Sequence, residues 1–277
     1  MILFTLLTLC VGLWAETQTV SYRCPVYNIN GDAKSGIKEW KEETATATVI
    51  INASDKVYWY GGWYVIKGSV TLSKGAVCKG DVRLILADGA TLTVTTDDKY
   101  PGIQVSETHC LLTIYSQTKN NGILRVTGGE NSAGIGGDGG RSNSPITING
   151  GLITIQCSRT PGTGGAGIGG GRSAAGSNII INDGTISATG GDNAAGIGGG
   201  VNGSGSDITI NGGEIEAIGG TATAGIGGGV NGSCSNIAIN GGKIVAKGGG
   251  SLSAGIGGGR RCCRLCSRQS RSPWLHG

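Results

Sequence analysis

The 277-residue chain has little of what an ordinary globular core is made from. It contains one Phe, one Met and two His, and charged residues make up only 14% of it, against a usual quarter. So few large side chains exclude a core of the common three-dimensional kind. With only His109 and His276 to serve as a base, nucleophilic chemistry of the Ser–His or Cys–His type has almost no footing. Five Pro, and Gly without a strict third-position period, exclude collagen. The net charge of +4 comes from one end: Arg260, Arg261, Arg264, Arg268 and Arg271 contribute +5, so the remainder sums to −1. A body without basic excess offers nothing to a phosphate backbone, which argues against nucleic acid as a partner. Beyond residue 15 no apolar run is long enough to span a bilayer.

What the chain has in excess is glycine, 56 residues, about three times the usual share of roughly 7%. The glycines lie in a repeat. The string Ala-Gly-Ile-Gly-Gly places its Ile at 135, 168, 197, 226 and 256, with spacings of 33, 29, 29 and 30. A second string close to Ile-Thr-Ile-Asn-Gly places its Asn at 149, 182, 211 and 240. Between them runs a third apolar pair: Ile153/Ile155, Ile186/Ala188, Ile215/Ala217 and Ile244/Ala246. Each segment alternates like a short strand, so that in Ile208-Thr209-Ile210 both Ile share one face.

Three strands and three glycine bends per repeat predict an all-β fold, a right-handed parallel β-helix (solenoid) with a three-strand repeat of about 29 residues. Degenerate copies such as Leu84-Ile85-Leu86 and Leu112-Thr113-Ile114 extend the array toward the N-terminus. About seven coils at ~4.8 Å each fit between Trp63 and Gly259. The rival reading is a hairpin around Asn211-Gly212, since Asn-Gly between alternating runs is a strong turn signal. It leaves Ala-Gly-Ile-Gly-Gly without a role.

Four segments are expected. Residues 1–15, MILFTLLTLCVGLWA, read as a signal peptide, and hence as export to a secreted or cell-surface location. Residues 16–62 form an N-terminal aromatic cap region. The solenoid occupies 63–259, and 260–277 is an aberrant basic tail containing Cys262, Cys263 and Cys266. Two readings stand for the aromatic run Tyr58, Trp59, Tyr60, Trp63 and Tyr64. It is either a lid over the terminal coil or a platform on which sugar rings stack. Two also stand for the scattered Cys24, Cys78, Cys110, Cys157 and Cys234: small buried residues, or an inter-coil bridge between Cys78 and Cys110 in an oxidising compartment.

No catalytic, cofactor or metal site is expected. Gly134-Ile-Gly-Gly-Asp-Gly139 matches a dinucleotide fingerprint without the surrounding βαβ unit. Asp138 has no counterpart at Gly171, Gly200 or Gly229, so a calcium-binding roll is excluded. Glu214 and Glu216 flank inward Ile215 and point to solvent.

The Ala-Gly-Ile-Gly-Gly and Ile-Thr-Ile-Asn-Gly-Gly strings, with the lead-in segment Asp81–Val94, resemble secreted Gly-rich β-helix repeat proteins of bacteria over roughly residues 22–259. The resemblance implies an adhesin-like surface protein, with a more distant architectural likeness to pectate-lyase-like and carbohydrate-binding β-helices. The acidic and basic clusters of those enzymes have no match here, so no functional residue carries over. The resulting expectation is a structural or adhesive repeat protein, not an enzyme and without a cofactor. Its partner would be an extracellular polysaccharide or a host or neighbour surface protein. The alternatives are a carbohydrate-binding module and, behind it, a polysaccharide lyase or hydrolase.

Overall fold

The computed structural model describes residues 16–27, 36–96, 99–250 and 253–260. The expected signal segment and, apart from Arg260, the basic tail lie outside them. Every regular element among the described residues is a strand. All ladders are parallel, with one exception at the N-terminus.

Three stacked faces build a right-handed parallel β-solenoid, the hand that parallel crossovers take. On the first face Val82, Leu112, Ile146, Ile179, Ile208 and Ile237 lie one above another. On the second, Val70, Leu92, Leu124, Ile153, Ile186, Ile215 and Ile244 do the same, seven levels enclosing six full turns. The third face stacks Val57, Ala76, Ile103, Ile135, Ile168, Ile197, Ile226 and Ile256. The strand 205–210 pairs with the levels before and after it, and so does 214–221. Asn211-Gly212 is therefore a corner of the coil and not a hairpin turn.

Burial follows the alternation. Ile135, Ile168, Ile197 and Ile226 are fully enclosed, as are Ile148, Ile181 and Ile210. Each such side chain contributes about 1.5–3 kcal/mol, and the contribution is renewed at every level.

The Ala-Gly-Ile-Gly-Gly string is explained by the third face, where strands are only two residues long. Gly198 has φ +131°, and a Cβ there would lie 2.1 Å from the Gly227 carbonyl oxygen of the next level. Consecutive coils touch backbone to backbone at this face, and only glycine permits it.

The stack begins before Trp63. Strand β1 (Thr17–Tyr27) pairs antiparallel with β2 (Ile37–Ile50), and the end of β2 enters the parallel stack. Thr48, Val49 and Ile50 lie under Tyr64, Val65 and Ile66 of β3 (Val57–Ile66). Residues 57–60 are a rung of the third face, continued by β4 (Ala76–Leu86). The aromatic run is thus built into the first coil and is not a separate lid.

The β1–β2 hairpin lies lengthwise across the outside of the first face. Tyr22 packs on Trp63 and Tyr115, with ring centroids 4.5 and 4.8 Å away. Further along β1, Arg23 pairs with Asp183 at 3.5 Å, and the Tyr27 hydroxyl accepts a hydrogen bond from Asn182 at 2.9 Å. On this face Asn182 lies four levels beyond Trp63. The five residue steps from Tyr22 to Tyr27 span about 17 Å, or three to four levels at ~4.8 Å each. The hairpin is a clasp along the axis.

Candidate functional site

Period-two alternation distributes the aromatic run over different surfaces. Tyr58 and Tyr60 point outward and are 48% and 62% exposed, whereas Trp59 between them is 1% exposed. Trp59 packs on Tyr64 at 6.0 Å between centroids. Tyr64 turns inward beneath Leu84 and donates its hydroxyl to the Tyr60 carbonyl at 2.8 Å. Burial raises the Tyr64 phenol. Trp63 faces outward but is roofed by Tyr22, and it packs against Tyr115 at 5.2 Å. The five residues therefore form no single platform: Tyr58 and Tyr60 offer ring faces to solvent, while Trp59 is enclosed and offers none.

Cations accompany the exposed rings. The Lys79 ammonium lies 5.1 Å from the Tyr58 ring centroid, and that of Lys56 lies 3.5 Å from the ring of Tyr100, which is 44% exposed. Both are within cation–π range. Under the clasp, the Arg83 guanidinium sits 5.3 Å from Trp63 and is paired with Asp81. Burial pushes the nearby Tyr115 phenol up to about 12. Lys56, Lys79, Tyr100 and Tyr115 were not singled out from sequence. Lys79 was within reach of the argument, since it is two positions beyond Val77, the residue stacked on Tyr58.

The corners carry ladders of identical polar side chains. The Asn149, Asn182, Asn211 and Asn240 amides are linked in series at 2.7, 2.7 and 2.6 Å. Asn231 donates to Asn202 at 2.7 Å, and Ser204 bonds Ser233 at 2.9 Å. On the outer second face Lys243 pairs with Glu214 at 2.5 Å and Lys247 with Glu216 at 2.6 Å. Each of these contacts joins one coil to the next. A polar cleft of about 430 Å³ lies near the last coils, lined by Asn193, Ala222, Val230, Asn231 and Arg260.

Cys78, Cys110 and Cys157 are buried as free thiols, and Cys24 is half-buried and free. Cys78 and Cys110 are therefore not bridged here. Cys234 is disulfide-bonded. Among the described residues no group of three or more His, Cys, Asp or Glu is placed to hold a metal. Nor is any helix there long and apolar enough to cross a membrane.

Residues 179–201, 208–230 and 237–260 match a family model described as Beta helix repeat. Each matched segment runs from a first-face strand to the end of the third face. The match agrees with the fold, a parallel β-helix built from repeats. No curated protein and no solved structure gives a match to the chain.

Proposed function

We propose that this is a secreted or cell-surface repeat protein with a structural or adhesive role and no catalytic activity of its own. The observation that carries the reading is where the repeated polar groups go. The corner amides, the Ser204–Ser233 pair and the Glu–Lys pairs all bond their counterparts one level away. Such groups hold the rod together and give it a uniform, solvated exterior. Glu214 and Glu216, the outward carboxylates nearest to a hydrolytic pair, are both engaged by lysines.

A carbohydrate-binding role is a second reading, favoured by Tyr58 and Tyr60 on one exposed strand beside Lys79. Flat phenol faces suit the apolar faces of sugars, and an adjacent ammonium favours acidic ones. Retention of the full-length protein on a panel of insoluble and gel-embedded neutral and acidic polysaccharides separates the two. Retention that disappears in a folded Tyr58→Ala, Tyr60→Ala variant makes the protein a glycan binder. Absence of retention on every glycan leaves the structural reading, and the search moves to surface proteins. Release of reducing sugar or unsaturated uronate from any of the glycans would overturn the noncatalytic assignment.

A further inference from the structure

Cys78 and Cys110 stand apart from the other cysteines because they face each other across consecutive coils. Cys78 lies in β4 and is fully buried, while Cys110 directly precedes the strand Leu111–Ser116 and is 2% exposed. The two strands stack in parallel, with Asp81 beneath Leu111. This register brings both thiols to one corner, where each influences the ionisation of the other. Neither is engaged in the aromatic surface or the polar ladders.

We propose that Cys78 and Cys110 are a thiol–disulfide site that staples one coil to the next when the chain meets a disulfide donor. The donor is a disulfide of the form RSSR, such as oxidised glutathione. The Cys110 thiolate attacks one sulfur of RSSR, forms the mixed disulfide and releases RS⁻. Cys78 then gives up its proton, attacks the Cys110 sulfur and displaces the second RS⁻. Two protein thiols are oxidised and one RSSR is reduced to two RSH.

The environment orders the two roles. The neighbouring Cys78 thiol lowers Cys110, while burial, and then the proximity of Cys110, raises Cys78. Cys110 is thus the attacking group and Cys78 the resolving one. Access is through the bend before Cys110, where Thr108 and His109 are exposed. His109 holds a left-handed φ of 58°, a conformation unfavourable for a non-glycine residue. Cys157, by contrast, is set against such exchange. Cys157 bonds the Ala166 carbonyl at 3.2 Å, and burial pushes its thiol up to about 12.

The test is to refold the full-length reduced protein in a glutathione redox buffer, alkylate the remaining thiols and map disulfides by mass spectrometry without reduction. The expected result is a peptide linking residue 78 to residue 110, with Cys24 and Cys157 recovered alkylated. In a Cys110→Ser variant Cys78 is then recovered alkylated as well. Recovery of both Cys78 and Cys110 as alkylated thiols from a preparation with strand-type circular dichroism overturns the proposal. Pairing of either one with a different cysteine overturns it equally. Because Cys78→Ser or Cys110→Ser could impair folding, the wild-type map alone decides the matter.

Discussion

Asn211 donates its side-chain amide to Oδ1 of Asn182 at 2.7 Å, twenty-nine residues earlier in the chain. Asn182 in turn donates to Oδ1 of Asn149 at 2.7 Å and to the Tyr27 hydroxyl at 2.9 Å. One buried side chain therefore joins three coils and the clasp. Asn182→Ala is expected to lower unfolding free energy by about 2–4 kcal/mol, since it leaves several partners unsatisfied. Asn231→Ala, in the exposed ladder to Asn202, should cost under about 1 kcal/mol because water replaces the lost bond. Urea titrations of both variants check the ranking, which reverses if the ladder is ornamental.

Glycines of the third face and of the outer bends should respond differently to the same change. Gly198→Ala places a Cβ 2.1 Å from a backbone carbonyl oxygen at φ +131°. We expect failure to fold, or a loss above about 3 kcal/mol. Gly140→Ala also occupies positive φ, +81°, but has nothing within 4 Å. It should cost only about 1–2 kcal/mol, the left-handed penalty. Yield of soluble protein and the thermal midpoint distinguish the two.

The repeat was legible because inward isoleucines recur at a nearly constant spacing, so Ile168, Ile197 and Ile226 declare the third face without outside information. The Asn corners were legible for the same reason. The clasp was not. Tyr22 meets Trp63 and Tyr115, and Tyr27 meets Asn182, through outward contacts that belong to no repeat and follow no period. The burial of Trp59 was readable in principle, since strand alternation sends it to the face opposite Tyr58 and Tyr60. Treating the aromatics as one patch concealed that.

Alkali should destabilise the fold through its buried acids. Burial raises Cys157 from 9.0 to about 12, and Tyr115 from 10.0 to about 12. In the window between, the folded chain holds protons that the unfolded chain has lost. Stability is then complete below about pH 9 and falls as pH rises toward 12, by up to about 1.4 kcal/mol per unit per group. Cys157→Ala should flatten the slope from pH 9 upward, as measured by denaturant midpoints across that range. An unchanged slope would remove Cys157 from the account.

Tyr22 should matter more than an edge-strand tyrosine usually does. Its removal uncovers Trp63 and takes the aromatic contact from Tyr115. Tyr22→Ala is expected to cost about 2–4 kcal/mol and to shift tryptophan emission to the red. Tyr60→Ala, at a site 62% exposed, should leave stability within about 1 kcal/mol. A Tyr22→Ala protein with unchanged emission and midpoint would mean that the hairpin does not hold the stack.

A stack of coils ordinarily comes apart one level at a time, because each coil leans only on its neighbours. The clasp changes this for part of the rod. With its base at Trp63 and its far contacts at Asn182 and Asp183, it obliges the five levels from Trp63 to Asn182 to open together. The levels beyond, carrying Ile208, Ile215 and Ile226 and their successors, have no such brace. Pulled from the C-terminal end, this protein would pay out chain in small steps of one coil each, then stop and resist. The hairpin acts as a brake on unravelling, and it sets how much of the rod can be drawn out before the remainder must yield as one piece.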